Sequence, residues 1–118
     1  MDVRVKRVYA PPAPGDSFRI LVDRIWPRGI SKAGAALDLW LVGVAPSTRL
    51  RTWFGHDPER MAEFTARYAA ERDTNPAATE LRALAAVHDR ITLVYSARDE
   101  LHNQAVVLAA YLMGTASA

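Results

Sequence analysis

The sequence predicts an α/β fold: a short, mostly parallel sheet of about three strands, covered by four to five helices in two or three layers. Three observations carry this. Apolar runs of strand character lie at residues 3–9, 18–26 and 91–97. The long interval between the second and third runs is punctuated by helix-start and helix-stop residues. A further helical segment follows the third run directly, so strands come first, then helices, then a strand and a helix. A length of 118 residues suits one domain over 1–118. With 50% hydrophobic and 24% charged residues, the chain has a globular rather than a disordered balance.

In the first run Val3 and Val5 share one face with Arg7, and Arg4 and Lys6 share the other. Ala10–Ser17 reads APPAPGDS, where Pro11, Pro12 and Pro14 forbid a helix. This connector is short enough for a hairpin, so the relative direction of the first two strands stays open. Phe18–Trp26 (FRILVDRIW) reads as a strand buried on both faces, stopped by Pro27, Arg28 and Gly29. Residues 30–45 are the least patterned, and Ala35–Val42 suits a short helix packing Leu37, Trp40 and Leu41.

The helix signals then sharpen. Ser47 suits an N-cap for a helix carrying Leu50, Trp53 and Phe54, ended by Gly55. Asp57-Pro58 opens a helix with Met61, Phe64, Thr65 and Tyr68 on one face, and Asn75-Pro76 opens one carrying Leu81, Leu84, Ala85 and His88. Ile91–Ala97 (ITLVYSA) is the third strand. Asp99 is then placed to cap a last helix with Leu101, Ala105, Leu108 and Leu112, ended by Gly114.

Composition excludes several function classes. Cysteine is absent, which removes disulfides, thiolate zinc sites and a cysteine nucleophile together. His56, His88 and His102 show no metal-ligand spacing, so no metal is expected. No G-x-S-x-G, P-loop or G-x-G-x-x-G string is present, so neither nucleotide nor dinucleotide is implied, and no cofactor is expected. No apolar run approaches the ~18 residues of a membrane span and no leader-like segment opens the chain, so the expectation is a cytoplasmic protein without a membrane partner. The sequence sets no oligomeric state.

The net charge of +2 conceals an arginine-rich, uneven distribution: residues 1–60 carry ten Lys and Arg against six Asp and Glu. Arginine suits planar recognition of carboxylate or phosphate, although GC-rich coding yields the same bias. Position therefore has to select among the arginines. Polar residues break the buried strands near their C-terminal ends: Arg7 in the first, Asp23 and Arg24 in the second, and Tyr95 and Ser96 in the third. Arg28 and Arg98 follow in the loops. In open α/β sheets, ligands bind beyond the carboxyl ends of parallel strands. If the strands are parallel, these residues gather at one edge, beside the start of the last helix.

The expectation is a crevice for a small anionic, phosphate- or carboxylate-bearing ligand. Arg7, Arg24, Arg28, Arg98 and Asn103 are its candidate ligand-binding residues. Asp23, Tyr95 and His56 are the candidates for proton transfer, should the crevice carry chemistry. The same residues also fit a structural ion pair between a buried Asp23 and Arg7 or Arg24. The rival function is nucleic-acid binding by the basic N-terminal half, where Trp26, Trp40 and Trp53 lie among arginines. That reading is weaker, because the arginines alternate with apolar residues rather than forming an exposed run.

Several strings together carry a resemblance: KRVY at 6–9, RILVDRIWPRG at 19–29, APS at 45–47, LRTWFGHDP at 50–58, FTARY at 64–68 and ITLVYSARDELHNQAVVL at 91–108. On these, the chain resembles the YeaO-like branch of the domain-of-unknown-function family 488, across nearly its whole length. The resemblance implies a small bacterial α/β protein with pocket residues in these motifs, and no established activity. Many broader-family relatives carry a cysteine at the end of the last strand and a Cys-His-Arg string at the start of the next helix. Here those positions resemble Tyr95 and Asn103-Gln104-Ala105, so thiol chemistry does not carry over. A tetrapyrrole methyltransferase label attached to some relatives finds no support in a chain this short without a glycine-rich cofactor loop.

Overall fold

The structure, a computed structural model, describes residues 1–114. Four strands form one all-parallel sheet in the order β1-β4-β2-β3. They are β1 (Asp2–Arg7), β2 (Phe18–Leu21), β3 (Leu39–Trp40) and β4 (Arg90–Tyr95). The connector between β1 and β2 makes no hairpin. It lies against β4, where Thr92 Oγ1 donates to the Asp16 carbonyl at 2.7 Å, and delivers the chain to the far side of that strand. Leu93 consequently sits in register between Val5 and Ile20.

Among the described residues, five α-helices pack with the sheet: α1 (Lys32–Ala35), α2 (Thr48–Phe54), α3 (Met61–Arg72), α4 (Pro76–Val87) and α5 (Gln104–Leu112). Three of the four expected helix-start caps hold their places. Ser47 accepts from the Leu50 amide, Asn75 from Ala77, and Asp57 from Glu59 at the head of a 3-10 turn that leads into α3. Gly55 ends α2 in the left-handed region at φ 53°. Among the described residues, no helix is long and apolar enough to cross a membrane.

Three expectations need correction. Residues 35–42 are not one helix: α1 ends at Ala35, and Leu39–Trp40 form a fourth strand. Leu37, Trp40 and Leu41 have helical spacing, but the open edge of β2 offers backbone partners that outweigh it. The Asp38 amide donates to the Arg19 carbonyl at 2.9 Å and the Leu41 amide to the Leu21 carbonyl at 3.0 Å. The second strand stops at Leu21 rather than Trp26, because Asp23 and Arg24 turn to partners in other loops. The last helix starts at Gln104, capped by Asn103, while Asp99 closes a separate turn by accepting from the Leu101 and His102 amides.

The two sheet faces differ in what covers them. One packs Ile20, Val22, Ile91, Leu93 and Tyr95 against the helical layer, with Phe54, Phe64, Tyr68, Leu81 and Leu108 in the same core. Phe54 and Phe64 stack there at 4.0 Å between centroids. The other face buries Leu21 and Val94 with Val8 and Ala35, under Trp26, Ile30 and Leu37. That face also holds a buried ionic cluster. Arg19, 4% exposed, donates to Asp16 at 2.6 Å and to the Ala35 and Ala36 carbonyls, and Lys6 reaches Asp16 at 3.0 Å. Burial pushes the Asp16 carboxyl up, but the Ala13 amide, Lys6 and Arg19 outweigh it and hold it below the usual carboxylate range.

Candidate functional site

All four strands run the same way, so their carboxyl ends form one edge, where an open α/β sheet places its ligands. Two clefts lie there rather than one. Because β4 separates β1 from β2, Arg7 and Asp23 stand on opposite sides of it, roughly 9–10 Å apart by strand spacing alone.

The first cleft, of about 100 Å³, lies between the ends of β2 and β4 and is lined by Asp23, Arg24, Arg51, His56, Ser96 and Gln104, among others. Asp23, buried at 7% exposure, is its floor. One carboxylate oxygen accepts from the Ser96 amide at 3.0 Å and the Ser96 hydroxyl at 2.6 Å, and the other accepts from Gln104 Nε2. Burial pushes the Asp23 carboxyl above its ordinary pKa, and the hydrogen bonds from Ser96 and Gln104 and the field of His56 only partly oppose it. The expected pairing of Asp23 with Arg7 or Arg24 is not formed: the donors to Asp23 are Ser96 and Gln104, and each guanidinium is held by carbonyls.

The walls come from elements that sequence patterning does not bring together. Arg24 donates through Nε and one Nη to the Pro46 and Ala45 carbonyls at 3.1 and 3.2 Å, which fixes its plane without neutralising its charge. Arg51 projects from the last turn of α2 and is exposed. His56 follows Gly55 and is itself left-handed at φ 56°, a conformation costing a non-glycine residue about 1–2 kcal/mol. Its Nδ1 lies 3.1 Å from the His102 carbonyl, which only accepts, so Nδ1 carries a proton and Nε2 is left for another partner.

The remaining expected residues are distributed otherwise. Arg7, Tyr95 and Arg98 line a second cleft of about 450 Å³, with Lys6, Tyr9 and Glu100, at the ends of β1 and β4. Burial, aided by Glu100, pushes the Tyr95 phenol above its ordinary pKa. Arg28 sits exposed in the turn after β2, lines neither cleft, and offers its carbonyl to the Tyr9 hydroxyl at 2.9 Å. Asn103 is fully buried: its oxygen accepts from the Val106 amide and its nitrogen donates to the Asp99 carbonyl, so it builds the helix start. Trp26 and Trp40 meet edge to face at 5.3 Å with both indole N–H groups donating to carbonyls, and Arg60 and Arg67 lie over Trp53.

Among the polar lining residues of the first cleft, Arg51 and Gln104 are those that sequence reasoning passed over. Gln104 carried a signal, since it stands in the first turn of a helix that starts at the strand edge. Arg51 carried none, because its contribution depends on how α2 lies over the sheet.

Comparison with known proteins adds the family context. A family model described as the inactive DUF488-N3 subclade matches residues 2–117. An uncharacterised protein of Mycobacterium tuberculosis and one of Mycobacterium bovis are each 45% identical over 112 residues, covering 95% of this chain and 94% of the relative. The uncharacterised protein YeaO of Escherichia coli is 42% identical over 112 residues, covering 95% of this chain and 97% of the relative. No solved structure matches the chain.

Proposed function

This chain belongs to the inactive DUF488-N3 subclade, and from that premise we propose that its first cleft binds a small oxyanion, a phosphoryl or carboxylate group, without turnover. The observation that carries the reading is the charge balance of the cleft. Arg24, Arg51 and His56 line it, and Asp23, the one carboxylate among the described lining residues, is held by Ser96 and Gln104 and pushed by burial toward its neutral form. The arginine charge is therefore left for a ligand. A volume of about 100 Å³ suits one such group, well below the ~300 Å³ at which drug-sized sites begin.

Arg24 supplies a fixed guanidinium and Arg51 an exposed one that closes on the ligand. Asp23 holds the floor through Ser96 and Gln104. A binding role fits the family's description as inactive. Of the three proton-transfer candidates, Asp23 and His56 line this cleft and Tyr95 lines the next. Nucleic-acid binding draws less support, because the rings of Trp53 and the Trp26–Trp40 pair are already engaged.

The test is thermal stability and calorimetric titration with inorganic phosphate, then with phosphorylated and carboxylated metabolites. A ligand at one hundred times its Kd stabilises the native state by about 2.7 kcal/mol. Arg51→Ala, at an exposed position, should keep the fold and lose about tenfold or more in affinity. Arg28→Ala, away from the cleft, should leave binding unchanged. The reading is wrong if no anion stabilises the native chain, or if Arg51→Ala binds as well as wild type.

A further inference from the structure

The second cleft holds charge that the fold alone does not use. The Arg7 guanidinium donates through Nε to the Ala97 carbonyl at 2.8 Å and through Nη2 to the Ser96 carbonyl at 3.2 Å. It also lies over the Tyr9 ring, 4.9 Å from its centroid. Tyr9 is held in turn by its hydroxyl bond to the Arg28 carbonyl. These contacts fix the plane of the guanidinium, yet all are to neutral groups, so its full charge stands at the end of a β-strand. Arg98 adds a second cation from the loop after β4, exposed and lining the same cleft. The Lys6 ammonium is committed to Asp16, and Glu100 is the one acid among the described lining residues.

We infer that this cleft is a second binding site, separate from the first, for a small molecule bearing a phosphoryl or carboxylate group that Arg7 and Arg98 grip together. A pre-oriented guanidinium beside a freer one suits planar, bidentate recognition of an oxyanion. The volume of about 450 Å³ falls within the ~300–1,000 Å³ of sites that take a whole small molecule. The half-exposed Tyr9 gives its organic part an apolar surface to lie against.

One backbone segment, Ser96–Ala97, lines the first cleft and holds Arg7 of the second. On one side Asp23 takes the Ser96 amide and hydroxyl, and on the other Arg7 takes the Ser96 and Ala97 carbonyls. The segment is a partition with separate cations on each side, so occupancy of one cleft does not require the other.

The experiment is an amide chemical-shift titration with inorganic phosphate and, separately, citrate, at physiological ionic strength. In an Arg51→Glu chain, with the first cleft disabled, both probes should still move the amides of residues 7–10 and 98–100. Arg98→Glu reverses a charge without touching the Arg7 hydrogen bonds, and should weaken that response about tenfold or more. In the same variant the responses of Arg24 and Gln104 should persist. Silence at residues 7–10, or an unchanged affinity in Arg98→Glu, overturns this site. Silence at Arg24 and Gln104 alone overturns the first cleft instead. A twelve-nucleotide single strand that displaces phosphate from residues 7–10, with a steep loss of affinity in salt, also overturns it in favour of a polyanion surface.

Discussion

Replacing Asp16 by alanine strands Arg19 beneath the sheet. Arg19 is 4% exposed, and its only carboxylate partner among the described residues is Asp16, at 2.6 Å. The Ala35 and Ala36 carbonyls keep two of its donors satisfied but do not balance its charge. Removing one member of a buried pair costs about 3–5 kcal/mol, because the other charge stays behind uncompensated. At ~2.1 cal/mol/K of unfolding entropy per residue, the chain loses roughly 4 °C per kcal/mol, a fall in Tm of about 12–20 °C. Calorimetry and urea unfolding measure this directly. Glu63→Ala is the control: it breaks the exposed Glu63–Arg67 pair on α3 and should cost under about 0.5 kcal/mol. Asp16→Ala with Arg19→Met should recover more than half the loss. The Asp16 carboxyl is held below its ordinary pKa, so its contribution is complete above about pH 4 and fades as pH falls through its folded value. A single-variant cost under about 1 kcal/mol, or strict additivity in the double variant, refutes the charge-stranding account.

Asp23 should show the opposite pH behaviour. Its folded pKa is raised, so its contribution is complete below about pH 4 and lost as pH rises through the folded value. Asp23→Asn should therefore gain on wild type in urea unfolding between pH 4 and pH 7, and a gap that does not widen in that range sinks the assignment. At His56 the strained backbone and the side chain separate by substitution. His56→Gly relieves the left-handed strain and His56→Ala does not, so the glycine variant should be the more stable by about 1 kcal/mol. Equal stability of the two would show that the backbone strain is negligible.

What was legible in the sequence is what is decided locally. Ser47, Asn75 and Asp57 with Pro58 announce helix starts because each side chain caps amides in its own next turn, with no help from the rest of the fold. The buried strands, and the polar residues that interrupt them at their ends, were readable for the same reason. Leu39–Trp40 were not, since that strand exists only where the edge of β2 is left open. Asp99 and Asn103 are two capping signals four residues apart, and only packing decides which one starts α5. That Arg7, Arg24 and Arg98 lie at or just beyond strand ends was legible, but their division between two clefts, with Arg28 in neither, was not. That division follows from strand order, which places β4 between Arg7 and Asp23, and spacing along the chain carries no trace of it.

The central position of β4 also sets when the protein can fold. β1 and β2 precede β4 in the chain but never pair with each other, and their shared partner comes 88 residues after β1, from Asp2 to Arg90, and 73 after β2, from Phe18 to Ile91. Until β4 has been made, β1 has no strand partner and β2 has only the two residues of β3 on its other edge. Such non-local pairing bears its loop-closure entropy before any reward, which slows folding and lengthens the time for which sticky segments stay exposed. The prolines of the connector, and the charges of Arg4 and Lys6 along β1, are what the nascent chain carries against aggregation during that wait.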